Sequence, residues 1–299
     1  MRKKKLAYGS WLLVLIMTSA VPLWGAPLSV VTTTTDLAAI ARAVGGDRVR
    51  VRSIAKGSQD PHYVAAKPSY MRLLNRADLL LHVGLQLEIG WLPLLVQGAR
   101  NPGLVSLNLS QGISVLEVPK GEISRAQGDI HPEGNPHYWL DPRNGILLAR
   151  RIARKLKVQR PEDGAYFEKQ LESFEQDLTR RIKTWEGQMA STKGMEVVAY
   201  HKQWEYLVRW LGLSIIGYVE DKPGIPPAPK HVAALIRTMR GQKVKTLWVA
   251  SFINPSVPRS VADKGGARIV VLSSSAKTGS KDYGNIFESI IGGLGQALK

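Results

Sequence analysis

Three histidines and one aspartate carry most of the chemistry this sequence offers: His62 in Asp60-Pro61-His62-Tyr63, His137 in Asn135-Pro136-His137-Tyr138, His201 in Ala199-Tyr200-His201, and Asp282 in Lys281-Asp282-Tyr283. Neutral imidazole is a good ligand for zinc and related ions, and a carboxylate adds charge and a harder oxygen. The gaps between the four are 75, 64 and 81 residues. A zinc finger clusters its ligands locally because the metal itself folds the chain. Ligands this far apart need a large prefolded scaffold, so the site can exist before the metal arrives.

Each residue also has a structural reading. His62, His137 and His201 stand at loops or strand ends, and prolines that restrict φ precede two of them. A lone Asp near the C-terminus, such as Asp282, equally suits a helix cap. His82 lies inside an apolar strand and His231 at a helix start, both structural positions. His131, in a polar loop six residues before His137, reads as a loop residue rather than a ligand.

The elements that must position these groups alternate. Leu28–Thr33 is β-branched and precedes Asp36, a candidate cap for a helix from Leu37. Val49–Ile54 alternates as a second strand, a helix runs from about Ser69 to Arg76, and Leu79–Val83 is a buried strand. The longest helical pattern runs from Pro161 to about Met189, with Phe167, Leu171, Phe174, Leu178, Ile182 and Trp185 in one apolar stripe. At 1.5 Å per residue it spans roughly 40 Å, long enough to join two lobes. Strands follow at 196–200, 213–218, 246–250 and 268–272, with helices at 203–210, 230–240 and 285–298. The fold class is therefore α/β, with mainly parallel sheets and ligands expected outside the carboxyl ends of strands.

At 299 residues the chain has room for two domains. Arg2-Lys3-Lys4-Lys5, an apolar run to about Val21 and small residues after it form a secretory signal, cleaved after Ala20 or Gly25. The expected division is a leader over 1–25, an N-terminal lobe over 26–160, a linking helix over 161–190 and a C-terminal lobe over 191–299. Cysteine is absent, so no thiol follows the leader to carry a lipid, and a periplasmic protein without an anchor is expected. The net charge is +17, or +13 without the leader's four basic residues. Its Lys and Arg are scattered, with no aromatic-rich binding motif, so no nucleic acid is expected as partner.

The sequence resembles the bacterial zinc/manganese solute-binding proteins of ABC transporters, the cluster A-I (cluster 9) family, over nearly all of the chain after the leader. Asp60-Pro61-His62-Tyr63 with Pro68-Ser69 looks like the family's first-ligand segment. Ala77-Asp78-Leu79 with Gly84-Leu85-Gln86-Leu87-Glu88 matches its strand and turn. Asn135 to Pro142 is its most specific signature, Ala199-Tyr200-His201 is similar to the third-ligand segment, and Asp282-Tyr283 stands roughly where the fourth ligand falls. Three features depart: Ala250-Ser251 stands where many members have a glutamate, the acid-to-tyrosine spacing is one residue short, and the loop before His137 holds only His131.

The resemblance implies two α/β lobes joined by one long helix that limits hinge motion, with metal in the cleft held by His62, His137, His201 and Asp282. It further implies a monomer that captures a divalent ion and delivers it to an ABC-transporter membrane permease. Three imidazoles favour Zn²⁺, with Mn²⁺ or iron as alternatives. The rival reading is an exported zinc hydrolase with Glu88, Glu133 or Glu220 as base, but His-Glu-x-x-His, Gly-x-Ser-x-Gly and P-loop motifs are all absent, so no enzyme is expected. A cell-adhesion protein is weakened by the lack of an anchor.

Overall fold

The computed structural model describes residues 25–121, 128 and 131–298. Residues 1–24 of the expected leader lie outside them. Among the described residues no helix is long and apolar enough to cross a membrane.

Strands β1 (Leu28–Thr32), β2 (Val49–Ser53), β3 (Leu79–His82) and β4 (Val105–Asn108) form a parallel sheet in the order β2-β1-β3-β4. Strands β5 (Glu196–Ala199), β6 (Ser214–Tyr218), β7 (Thr246–Ala250) and β8 (Arg268–Leu272) repeat it as β6-β5-β7-β8, again all parallel. The inner strands read as continuous apolar runs because helices cover both faces. Leu79, Leu80 and Leu81, for example, are all buried.

Helix α1 (Thr35–Gly45) begins two residues earlier than its sequence suggests. Thr34, not Asp36, is the cap: its hydroxyl accepts the Leu37 N–H at 3.4 Å. Asp36 is instead fully buried in the first turn, where its Oδ1 accepts the Ala276 N–H across the lobe interface at 2.9 Å. Helices α2 (Pro68–Asn75), α6 (Glu205–Leu211), α7 (Pro229–Gly241) and α9 (Asn285–Leu298) fall where expected to within two residues. The sequence reading leaves β4 unassigned, together with α3 (Leu92–Ala99), α4 (Pro142–Gln159) and α8 (Ser256–Gly265).

The linking helix α5 (Gly164–Gln188) has 25 residues, about 38 Å at 1.5 Å each. Pro161–Asp163 forms a separate 3-10 turn ahead of it, held by ion pairs from Arg48 and Arg160 to the buried Asp163 at 3.2 and 3.1 Å. Phe167, Leu178, Ile182 and Trp185 sink into one hydrophobic cluster that draws residues from both lobes. The helix packs on α1 and α4 at one end and on α9 at the other. Further cross-lobe bonds run from Trp139 Nε1 to the Ser274 carbonyl at 2.9 Å and from the Gly57 N–H to the Thr278 hydroxyl at 3.2 Å. A shared core and these bonds favour small adjustments of the lobes over wide hinging.

Candidate metal centre

The carboxyl ends of both sheets face one cleft of about 340 Å³, lined by His62, His131, His137, His201 and Glu220 among others. His62 lies in the loop after β2, His201 directly after β5, and His137 just before a 3-10 turn, Tyr138–Leu140, that leads into α4. Parallel sheets place ligands outside strand ends for this reason: neighbouring connections diverge there and leave a crevice.

One local module sets two of the histidines. In Asp60-Pro61-His62-Tyr63 the Asp60 Oδ1 accepts both the His62 backbone N–H at 2.9 Å and its ring Nδ1–H at 2.7 Å. In Asn135-Pro136-His137-Tyr138 the Asn135 Oδ1 does the same, at 3.0 and 2.9 Å. An Asx side chain bonding two residues ahead is a turn device, and the proline between fixes φ. Asn135 is oriented unambiguously, because its Nδ2 donates to Glu205 at 2.8 Å and Glu117 at 3.3 Å. His201 Nδ1 meets Glu220 Oε2 at 2.8 Å, and that same oxygen accepts the Gly224 N–H at 3.1 Å, tying down the loop after β6.

All three rings thus give their Nδ1 proton to a fixed oxygen, which leaves Nε2 as the nitrogen with the free lone pair. This is how ligating imidazoles are usually held. His137 is 3% exposed, and its Nε2 is buried with no hydrogen-bond partner. Burial first, then the neighbouring His62, His131 and His201, hold its pKa well below the ordinary histidine value, so the ring is neutral. Burial by itself would raise the Asp60 carboxyl, but the hydrogen bond and charge of His62 outweigh it and hold the pKa below the usual value.

His131 joins the cluster: its Nε2 lies 3.1 Å from His62 Nε2. Zn–N bonds of ~2.0–2.1 Å place tetrahedral nitrogen donors ~3.3 Å apart and their ring centroids ~5 Å apart. The centroid of His62 lies 5.1 Å from that of His137, 5.2 Å from His131 and 6.3 Å from His201. The first two distances already match; the third is about 1 Å long. Among the described residues no group of three or more His, Asp or Glu side chains is placed so that it could hold a metal ion as it stands.

Asp282 is not brought to this cleft. Its Oδ1 receives Arg181 Nη1 of α5 at 2.8 Å, and it lines a separate pocket with Phe174, Asp177 and Arg181. The guanidinium, which also pairs with Asp177 and Glu288, offers this half-exposed carboxylate a local partner, so it fastens the start of α9 to α5. His82 ends β3, and the His231 ring bonds the Tyr218 carbonyl at 2.8 Å; neither lines the cleft.

The Gly84-to-Glu88 turn supports the site from behind. Leu85 and Gln86 adopt positive φ, a conformation that few side chains tolerate. The buried Glu88 holds them there by accepting the Val83 and Gly84 N–H groups at 2.7 and 3.1 Å. Tyr138, next to His137, donates to the Val83 carbonyl at 2.8 Å.

Two similar lobes bridged by a helix, with polar groups from both converging on one cleft, define a two-lobed ligand-binding protein. The chain belongs to the family of periplasmic zinc-uptake complex component A (ZnuA), which it matches over residues 30–297. It is 27% identical over 264 residues to the metal ABC transporter substrate-binding lipoprotein FimA of Streptococcus parasanguinis, covering 85% of this chain and 83% of that one. To the manganese ABC transporter substrate-binding lipoprotein PsaA of Streptococcus pneumoniae it is 26% identical, with the same coverage. A crystal structure of ZnuA superposes with a TM-score of 0.80 at 23% identity, covering 91% of this chain and all of that one. These relatives are named as binding components of transporters, not as enzymes. They are also named lipoproteins, so the expectation of an unanchored protein finds no support among them.

Proposed function

We propose that this protein captures a divalent transition metal, zinc in preference to manganese or iron, through Nε2 of His62, His131, His137 and His201, and delivers it to an ABC-transporter permease from the periplasm. The metal here is cargo. The observation that carries the reading is the common setting of the His62, His137 and His201 rings: each Nδ1 is held by a fixed oxygen, and the His137 Nε2 is buried without a partner. An all-nitrogen set suits zinc, whereas manganese prefers more oxygen. Family membership supports the transport role, since relatives are named for zinc uptake and for manganese transport.

Asp60 and Glu220 act behind the ligands, as carboxylates that orient a ring and raise its basicity. Binding needs only a small convergence of His201, which the packed interface permits.

The test strips the protein with a chelator and titrates Zn²⁺ and Mn²⁺ in competition. One zinc per chain, bound tighter than manganese and lost in His137→Ala, is expected. Unchanged affinity in single alanine variants at positions 62, 137 and 201 would sink the site.

A further inference from the structure

The oxygens behind the three rings are not alike. Asp60 and Glu220 are carboxylates and meet His62 and His201 directly, at 2.7 and 2.8 Å. Behind His137 stands Asn135, a neutral amide, at 2.9 Å. There the carboxylate lies one group further on, where Asn135 Nδ2 donates to Glu205 Oε2 at 2.8 Å. Glu205 begins α6, between β5 and β6, while Asn135 sits in the connection from β4 to α4, so this bond joins the two lobes. Asn135, His137 and Glu205 are all buried.

Other contacts hold Glu205 in that place. Its Oε1 accepts the Tyr218 hydroxyl of β6 at 2.6 Å. Tyr206, its neighbour on α6, donates to the Asn135 carbonyl at 2.9 Å and accepts the Leu116 N–H at 3.0 Å, so α6 grips the Asn135 segment through backbone as well as side chain. Burial and the nearby Glu117 raise the Glu205 pKa, while donors from Tyr218, its own backbone and Asn135 favour the anion. Glu117 also reaches Asn135 Nδ2, but at 3.3 Å, and its charge is met by Lys202 at 2.9 Å. Hydrogen bonds in a chain polarise one another, and more so in a buried setting than in water. An amide whose N–H is held by a carboxylate therefore carries more negative charge on its oxygen.

We propose that Glu205 is a positioning residue for the metal: through Asn135 it supplies His137 with the carboxylate that His62 and His201 meet directly. This rests on the reading of the cleft as a metal site. Glu205 acts in two ways. It fixes the amide so that Oδ1 faces His137, since the flipped amide would turn that oxygen towards two carboxylates. It also polarises Oδ1, which strengthens the bond from the His137 Nδ1–H and makes Nε2 a better donor to the metal. Because the Asn135–Glu205 bond joins the lobes, moving them apart weakens the His137 ligand and so couples release to lobe separation.

The test moves the carboxylate. Glu205→Gln keeps the hydrogen bonds without the charge: its amide oxygen can accept from Asn135 and its N–H₂ can donate to the Tyr218 hydroxyl. Zinc should bind it about tenfold more weakly, the lower end of the ~10–100-fold range for groups behind a ligand. Asn135→Asp/Glu205→Gln puts the carboxylate directly behind His137, as Asp60 is behind His62, and should recover affinity to within about threefold of wild type. The His137 Nδ1 proton, followed by NMR in the metal-free full chain, should move upfield in Glu205→Gln and downfield past wild type in the double variant. That readout does not depend on zinc. Wild-type affinity in Glu205→Gln, or a loss that the double variant does not recover, overturns the proposal, as does a proton that neither change moves. Proton shifts as expected in a protein that binds no zinc would keep the Glu205–Asn135–His137 chain and overturn the metal site instead.

Discussion

Asp36 is the sharpest test of the packing between the lobes. Its side chain is fully buried, and burial, only partly offset by the Ala276 N–H and Ser275 contacts, pushes its pKa from 3.8 up to about 7. The unfolded chain should ionise it near 4. A group whose folded pKa is raised lends its full stability only below the unfolded value and loses it as pH rises to the folded one. Three pH units at 1.36 kcal/mol each make the protein about 4 kcal/mol less stable at pH 8 than at pH 4 through this residue. Asp36→Asn cannot ionise. The amide oxygen can keep the Ala276 bond, while its N–H₂, put where Oδ2 now lacks a partner, costs ~1–3 kcal/mol at every pH. The absolute stability of the variant is therefore a poor readout, and its change with pH a good one. Urea unfolding of both proteins, metal-free, at pH 4, 6 and 8 gives that change. The variant should gain on wild type by about 4 kcal/mol between pH 4 and 8. A difference that stays constant within ~1 kcal/mol would refute the argument, because Asp36 would then be ionised in the folded protein as freely as in the unfolded one.

Asp282→Asn should leave zinc affinity within about twofold and cost under ~1 kcal/mol of stability, as expected for a half-exposed ion pair; a tenfold loss of affinity measured by competition titration would restore Asp282 to the site. Glu220→Gln should weaken zinc by ~10–100-fold without changing stoichiometry, since it removes the carboxylate behind His201; calorimetry showing wild-type affinity would end its orienting role. Imidazole must be neutral to ligate, so zinc affinity should fall on acidification with protons taken up as the metal leaves, and the His137 ring, whose burial holds its pKa well below the ordinary value, should be the last to protonate. A flat pH profile in zinc titrations at matched ionic strength would mean that oxygen, not nitrogen, holds the ion.

The site was legible in part. His62, His137 and His201 could be chosen because local sequence fixes them: Asx-Pro-His-Tyr occurs twice, and in both copies the Asx side chain folds back onto its own histidine two residues away. That Asp60 and Asn135 orient the rings was not read from the sequence and came from the hydrogen bonds of the structure. Glu220 carried no such signal, because it sits 19 residues from His201 and meets it only when β5 and β6 pair side by side. The placement of His131 beside His62, and of Asp282 away from the cleft, was hidden for a similar reason. Only the tertiary structure brings Arg181 of α5 to the acid before the last helix, and the His131 ring to His62.

What the sequence determined by itself was what depends on neighbours along the chain. The apolar runs become central strands, the stripe from Phe167 to Trp185 becomes the linking helix, and the two Asx-Pro-His turns set their own rings. These interactions close within a few residues, so their cost in chain entropy is small and their pattern repeats with the period of the element. The tertiary structure alone decided which distant groups meet: His131 with His62, Glu220 with His201, Arg181 with Asp282, and Asp36 with Ala276. Each of those contacts exists because two sheets of the same strand order are fastened to one helix, and relative placement of that kind is a sum over the whole core that no local pattern encodes.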